Sequence, residues 1–140
     1  MIKLLLFFII SFTVQAENFA EFELPIYKQD KSYKYSAKTK TLINFWASWC
    51  TSCIQEIPEL EALKKENPKV EFLAINAGDS PSKIKKFLKK TKFSYTVLMD
   101  KSKAFSKGLG VLSLPITMVI NEKGEVTYKS SKPPKSLNSL

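Results

Sequence analysis

Arginine and histidine are both absent from this chain of 140 residues, so its 22 basic residues are all lysines. Arginine is the residue that usually recognises phosphate or carboxylate groups through two parallel hydrogen bonds. Its absence weakens a nucleic-acid-binding interpretation of the net charge of +9. A solvated, lysine-rich surface explains that charge, and attraction to acidic partners or anionic lipid headgroups is the functional alternative.

Cysteine is scarce, since the chain contains only Cys50 and Cys53. Structural zinc takes four ligands, and without histidine or further cysteine a closed Cys/His site within one subunit is excluded. A metal shared between two subunits remains open. A disulfide across so short a loop removes little chain entropy, which disfavours an inert structural bridge. We therefore predict no metal and no cofactor other than a redox-active Cys50–Cys53 disulfide.

A long hydrophobic run occurs only at the N-terminus. Lys3 precedes the mainly apolar segment 4–14, and Val14-Gln15-Ala16 resembles a small-residue cleavage site. This segment is shorter than the roughly twenty residues that cross a bilayer, so residues 1–16 are predicted to be a signal peptide. An uncleaved membrane anchor is the alternative. Export predicts a periplasmic or otherwise extracytoplasmic protein.

The remaining chain has the composition of one globular domain, assigned here to residues 17–130, with a loose tail over 131–140. Short apolar runs predict strands over 41–47, 70–77, 95–99 and 116–120. Residues 17–40 predict at most one short strand. A helix with apolar residues at helical spacing follows Cys53, and Ser80 caps a second helix. This alternation predicts an α/β fold with a mixed central sheet flanked by helices.

The second predicted helix is basic as well as amphipathic. Its apolar side includes Ile84, Phe87 and Leu88, and lysines cover the rest of its surface. Such a pattern is typical of the outer face of a helix packed on a sheet. Weak contact with a membrane surface through these lysines is the alternative.

Cys50 and Cys53 lie between a buried strand and the start of a helix. Residues three apart on a helix are neighbours, so the two sulfur atoms can form and break one bond with little backbone movement. Unpaired N–H groups and the positive dipole end at a helix N-terminus favour a thiolate. We predict that Cys50 attacks a partner disulfide and that Cys53 resolves the mixed disulfide.

The segment FWASWCTSC resembles the active-site segment of the thioredoxin superfamily. Its continuation, Cys50-x-x-Cys53-x-x-Glu56-x-Pro58, is similar to the exported TlpA/ResA-like branch, which includes cytochrome c maturation reductases. The stretch 110–126, GVLSLPITMVINEKGEV, resembles that branch too. The resemblance implies a thioredoxin fold in which Pro115 is cis and faces the dithiol. The backbone of Leu114 would then pair with an extended substrate segment.

Two departures from thioredoxins concern protons and thiolate stability. Asn44 stands where thioredoxins carry a buried aspartate, so the resemblance assigns proton transfer to Glu56, one turn beyond Cys53. A surface acid that complements the helix dipole is the alternative for Glu56. Thr51 and Ser52 replace the Gly-Pro of thioredoxins and the Pro-His of strongly oxidising relatives. Their hydroxyl groups can donate to the thiolate, yet the missing histidine argues against a powerful oxidant.

Two tryptophans flank the motif, and they have different expected roles. Trp46 is expected to pack beneath the site, and Trp49 is expected to form an apolar rim beside Cys50, where it contacts substrate. Ordinary core burial is the alternative for both side chains.

The sequence therefore predicts an exported thiol–disulfide oxidoreductase that reduces partner disulfides. The implied partners are disulfide-containing exported proteins and a membrane thiol electron donor, with no nucleic acid, and we expect a monomer. The resemblance suggests a role in cytochrome c maturation. Two alternatives remain open: a disulfide oxidase or isomerase, and a redox-inert client-binding or chaperone-like module.

Overall fold

The computed structural model describes Phe19 and residues 21–140, so the expected signal peptide lies outside the described residues. Within that part of the chain, seven strands and three helices follow one another. In order they are β1 (Glu21–Pro25), β2 (Ser32–Ser36), β3 (Thr41–Trp46), α1 (Thr51–Glu66), β4 (Glu71–Ala77), α2 (Pro81–Lys90), β5 (Thr96–Asp100), α3 (Ala104–Gly108), β6 (Ile116–Ile120) and β7 (Val126–Ser130).

Five of the strands form one sheet in the order β5-β4-β3-β6-β7. The central strand β3 pairs in parallel with β4 and antiparallel with β6, and β7 continues the sheet antiparallel. All residues of β3 are buried, as expected of a strand covered on both faces. The mixed α/β sheet predicted from the sequence is confirmed.

The two faces of this sheet bury different partners. Because side chains alternate along a strand, Leu42 and Trp46 of β3 lie on one face, and Ile43 and Phe45 lie on the other. The first face packs against α1 and α2, and the second packs against the β1–β2 hairpin and α3. The face beneath α1 carries both cysteines in its core cluster.

The N-terminal region differs from the prediction, because it contains two strands where at most one was expected. β1 and β2 pair antiparallel as a separate hairpin. The rings of Phe22 and Tyr35 stack across it with centroids 4.8 Å apart. Both strands are short and carry charged or polar residues between their aromatic and apolar ones, so neither forms an apolar run in the sequence.

The C-terminal tail also differs from the prediction, which described residues 131–140 as loose. Pro133 and Pro134 are buried, and Leu137 is 2% exposed within the core cluster beneath α1. Lys40 donates a hydrogen bond of 3.1 Å to the Leu137 carbonyl. The tail was predicted to be loose because most of its residues are polar, but three of its apolar side chains, Pro133, Pro134 and Leu137, are buried.

α2 begins as the sequence predicts. The Ser80 side chain accepts a hydrogen bond from the Lys83 N–H at 3.4 Å, and Pro81 occupies the first turn. Among the residues that the structure describes, no helix is long and apolar enough to cross a membrane.

Candidate active site

The cysteine pair lies at the junction between the central strand and α1. Cys50 is the N-cap residue of α1, with a disulfide to Cys53 and 5.3 Å between the two Cα atoms. Both residues are nearly buried, with Cys50 4% and Cys53 2% exposed. The intervening Thr51 and Ser52 are exposed. The predicted pair is thus oxidised in this structure and sits where a helix begins.

A backbone donor is already directed at the sulfur of Cys50. The Cys53 N–H donates to Cys50 Sγ across 3.2 Å, so the cysteine caps its own helix. A donor in this position stabilises negative charge on Sγ once the disulfide is reduced, and the helix dipole acts in the same direction. The geometry thus directs the donor at the start of α1 to the sulfur of Cys50.

The turn before Cys50 is held by a side chain from the loop that follows the neighbouring strand β4. Asp79 accepts from the Ser48 N–H at 2.6 Å and from Ser48 Oγ at 3.0 Å. Its Oδ2 also accepts from Asn76 Nδ2 at 2.9 Å, and its own N–H donates to Asn76 Oδ1 at 3.0 Å. Gly78 precedes it with φ of 92°, a conformation that favours glycine. Asp79, itself 4% exposed, fixes the chain two residues before the dithiol.

Glu56 lies one turn beyond Cys53 and has an unusual environment. Its Oε2 is buried and accepts no hydrogen bond among the described residues. The pKa of the carboxyl is raised from its ordinary value to about 7, chiefly because burial disfavours the charged form. The negative charge of Glu59 raises this pKa further, and the ammonium group of Lys132 opposes the shift. The carboxyl therefore changes protonation state near neutral pH.

Two more buried polar atoms lie in the core cluster beneath α1. Trp46 Nε1 and the Tyr95 hydroxyl have no hydrogen-bond partner within the described part of the chain. Burial raises the pKa of Tyr95, and the charges of Glu61 and Glu56 add to the effect. Trp46 is fully buried and packs on Phe87 with ring centroids 4.6 Å apart. This side of the dithiol is apolar, with polar atoms that are not satisfied by neighbouring protein groups.

Asn44 occupies the same sheet face as Trp46, beneath α1. It is 2% exposed, and its Nδ2 donates to Thr117 Oγ1 at 3.2 Å. An amide does not titrate, so this position holds no proton for the cysteines. Glu56 is the residue near Cys53 whose carboxyl can exchange one.

A hollow with apolar and basic side chains opens beside Trp49, the residue directly before Cys50. It encloses about 180 Å³, and its lining includes Trp49, Val111, Leu112, Ser113 and Leu114, together with Lys103 and Lys107. Trp49 is 65% exposed and Leu112 is 86% exposed. The Leu114–Pro115 peptide bond is cis, and Pro115 itself is buried. Trp49 and Leu114, which the sequence predicted separately, thus line one surface.

Three features of this site were not predicted from the sequence. They are the hydrogen bonds of Asp79 to Ser48 and Asn76, here called the Asp79 clamp, the exposed Leu112 and the Tyr95 hydroxyl. One signal for Asp79 was present. The carboxyl ends of parallel neighbouring strands meet at one edge of a sheet, and Asp79 follows β4 just as Cys50 follows β3. No comparable signal marked Leu112 or Tyr95, because both look like ordinary apolar positions of the chain.

Within the described residues, no group of three or more histidine, cysteine or acidic side chains is placed to hold a metal ion. The Cys50–Cys53 disulfide can itself accept two electrons and become a dithiol.

Several known proteins resemble this chain. It is 33% identical over 117 residues to the thioredoxin-like protein YneN of Bacillus subtilis, a match that covers 80% of this chain and 68% of YneN. It is 33% identical over 86 residues to the thiol-disulfide oxidoreductase ResA of Halalkalibacterium halodurans, covering 60% of this chain and 49% of ResA. This chain thus spans only about half the length of ResA.

A solved structure shows the same fold. The thiol-disulfide oxidoreductase from Bacteroides fragilis superposes with a TM-score of 0.76 and 25% identity, covering 88% of this chain and 96% of that one. The fold and the CxxC pair at a helix start define a thioredoxin-like thiol–disulfide oxidoreductase. Residues 15–139 match the Redoxin family, and the chain belongs to that family.

Proposed function

We propose that this protein is an exported reductase of partner-protein disulfides, with Cys50 as nucleophile and Cys53 as resolving cysteine. The observation that carries this proposal is the hydrogen bond from the Cys53 N–H to Cys50 Sγ, 3.2 Å long. It favours negative charge on Cys50, the sulfur that a client must reach, and leaves Cys53 deeper in the helix.

The proposed cycle begins with the reduced dithiol. The Cys50 thiolate attacks one sulfur of the client disulfide, and the other client sulfur leaves as a thiolate. The Glu56 carboxylate then takes the proton of the Cys53 thiol, and the resulting thiolate attacks Cys50 Sγ. The second client sulfur leaves and accepts that proton. Two electrons pass to the client, and a dithiol donor at the membrane reduces the Cys50–Cys53 disulfide again.

The limited stabilisation of the Cys50 thiolate supports reduction of clients as the direction of electron transfer. A strong disulfide oxidant owes its potential to a stabilised reduced form. The chain contains no histidine to stabilise Cys50 with an imidazolium, and the identified donor at its sulfur is one backbone N–H. The side chains between the cysteines, Thr51 and Ser52, add at most neutral hydroxyl donors. A pair with this limited stabilisation favours giving electrons to clients.

The hollow of Trp49, Leu112 and Leu114 is the proposed client-binding surface. Two large apolar side chains there are exposed, which is typical of a surface that binds a partner. An extended client segment lying along Ser113 and Leu114 would present its sulfur beside Trp49 and hence beside Cys50. In this proposal, Pro115 fixes the edge of that surface against the dithiol.

The proposed compartment and clients rest on the N-terminal segment and on family resemblance. Residues 1–16 have the pattern of a signal peptide, which supports action outside the cytoplasm on exported proteins. The resemblance to the branch that contains cytochrome c maturation reductases supports apocytochrome c as one client class. The electron donor would then be a membrane thiol protein.

Trapping of the mixed disulfide tests the roles of the two cysteines. A peptide with one intramolecular disulfide is mixed with reduced Cys53→Ser and with reduced Cys50→Ser, and the products are weighed by mass spectrometry. We expect Cys53→Ser to accumulate the peptide adduct on Cys50, and Cys50→Ser to form little adduct, because the helix N-terminal donor is directed at the Cys50 sulfur. Accumulation on Cys53 at the same rate would exclude Cys50 as the nucleophile. Unchanged peptide reduction by Cys50→Ser would do the same.

A further inference from the structure

A second hollow lies beside the dithiol, between the start of α1 and one flank of α2. It encloses about 460 Å³. Its lining includes Trp49, Ile54, Phe87, Lys83, Lys86 and Lys90. Trp49 borders both this hollow and the proposed client-binding surface. Ile54, directly after Cys53, is 41% exposed, so the hollow has an apolar floor open to solvent.

The lysines of α2 are divided between two flanks of the helix. Lys83, Lys86 and Lys90 are three and four residues apart, and this spacing puts them on one side, facing the hollow. Lys85, and Lys92 just beyond the end of α2, instead line separate hollows that include Tyr27. Only one flank of α2 therefore presents its lysines to the hollow beside the dithiol.

This flank carries positive charge that the protein does not neutralise locally. The sequence has no acidic residue from Ser80 to Met99. Lys83, Lys86 and Lys90 are exposed, and among the described residues none of their ammonium groups pairs with a carboxylate. A cluster of like charges beside an apolar concavity attracts a ligand that is both anionic and partly apolar.

We propose that this hollow binds an acidic segment of the client that flanks its disulfide, with an apolar side chain packed on Trp49 and Ile54. This inference rests on the proposed attack of Cys50 on client disulfides and adds the class of client that is preferred. Acidic residues near the client cysteines would pair with Lys83, Lys86 and Lys90 while the client disulfide lies over Cys50. Substrate choice is then partly electrostatic.

The shape of the hollow favours a protein client over a lipid surface. Exposed apolar side chains stand within a concavity next to the reactive sulfur, which fits one side chain of a polypeptide. A flat anionic bilayer would engage the other exposed lysines of α2, Lys85 and Lys89, as readily as the dithiol flank.

Two peptides of equal length test the inference, each with one disulfide and one leucine. The first carries aspartates beside the cysteines, and the second carries asparagines. Oxidation of the reduced full-length protein is followed by tryptophan fluorescence in stopped flow, so that each turnover reduces one peptide disulfide and oxidises one dithiol. At low ionic strength, we expect the acidic peptide to react about 10-fold faster, with the difference falling as salt is added.

Two triple variants of equal net charge distinguish the effect of the lysines that line the hollow from the effect of the protein's overall charge. Lys83→Gln/Lys86→Gln/Lys90→Gln should remove most of the preference for the acidic peptide, so that the two peptides react at similar rates. Lys85→Gln/Lys89→Gln/Lys92→Gln should keep most of the preference. Equal effects of the two triples, or no preference in the unmodified protein, would overturn the inference while leaving the proposed reductase intact.

Two other outcomes also contradict the inference. Failure to reduce either peptide would refute the proposed function and remove the inference with it. Phosphatidylcholine vesicles with and without phosphatidylglycerol provide the membrane comparison in a sedimentation assay. If the variant that lacks Lys83, Lys86 and Lys90 loses binding to the anionic vesicles but keeps its preference for the acidic peptide, these lysines serve a membrane surface instead.

Discussion

Two carboxyl groups lie on either side of the dithiol, and their surroundings differ sharply. Asp79, which holds the turn before Cys50, accepts hydrogen bonds from Ser48 and Asn76 through both oxygens. Glu56, after Cys53, has a buried oxygen without a partner among the described residues and a pKa raised to about 7. The same functional group therefore anchors a turn in one place and has a pKa near neutrality in the other. The two carboxyl groups differ in how fully their oxygens are hydrogen-bonded.

The largest expected effect concerns the anchoring carboxylate. Asp79→Ala removes the acceptor of the Ser48 N–H and of the Asn76 amide, leaving donors unpaired in a nearly buried site. We expect a loss of about 3 kcal/mol in the free energy of unfolding, measured by urea denaturation. A variant as stable as the unmodified protein would show that Asp79 does not anchor this turn.

The next effect concerns the proton-exchanging carboxyl. Glu56→Gln should slow the attack of Cys53 on the mixed disulfide by about 10²-fold at pH 8, because a general base is lost. In the unmodified protein this rate should rise with pH through about 7, since only the ionised Glu56 accepts the proton. The attack of Cys53 can be followed with an aromatic disulfide probe, because this attack releases the second aromatic thiolate.

Glu59→Gln is the matched control for that measurement. It removes an acid from the same helix, three residues away, and Glu59 forms a 3.5 Å ion pair with Lys135. It should retain the rate at pH 8 and move the midpoint of the pH profile to lower pH, because the charge of Glu59 helps raise the pKa of Glu56. A rate loss equal to that of Glu56→Gln would mean that no single carboxyl is responsible.

A smaller effect sharpens the account of the turn. Ser48→Ala removes the hydroxyl that donates to Asp79 Oδ1 but keeps the backbone N–H bond to Oδ2. We expect a loss of about 1 kcal/mol in unfolding free energy, well below that of Asp79→Ala. Equal losses in the two variants would assign the anchoring to the hydroxyl alone.

The smallest effect is the pH dependence of stability caused by Glu56. The folded-state pKa of Glu56 lies above the ordinary value of 4.5, so the folded protein holds this proton more tightly than the unfolded chain. Its contribution to stability is present below pH 4.5 and is lost as pH rises through about 7. Glu56→Gln should therefore gain stability relative to the unmodified protein between pH 5 and pH 8 in urea titrations. A flat difference across this range would contradict the raised pKa.

Much of this arrangement was predictable because it depends on local patterns. The buried run of β3, the Ser80 cap and the spacing of Cys50 and Cys53 each predict structure from a few neighbouring residues. The resemblance to a known family added Glu56 and the Leu114–Pro115 segment. These residues now have positions in the structure, and their roles remain proposals.

Other features depend on contacts between distant parts of the chain. The Asp79 clamp joins residues 31 apart in sequence, and the Leu137 carbonyl meets Lys40 across 97 residues. No local pattern reports such pairings, so the tail was predicted to be loose although Leu137 is buried in the core. The two hollows beside Trp49 likewise exist only once α1, α2, α3 and the loop before β6 are assembled.

The equilibrium redox potential of Cys50 and Cys53 tests the central claim most directly. It is measured against a dithiol buffer and read by tryptophan fluorescence, since Trp46 and Trp49 lie beside the pair. The proposed reductase predicts a potential below about −230 mV, in the range of electron-donating dithiols. A value above about −180 mV would mean that the pair prefers to give away its disulfide, and the protein would then be an oxidase or isomerase.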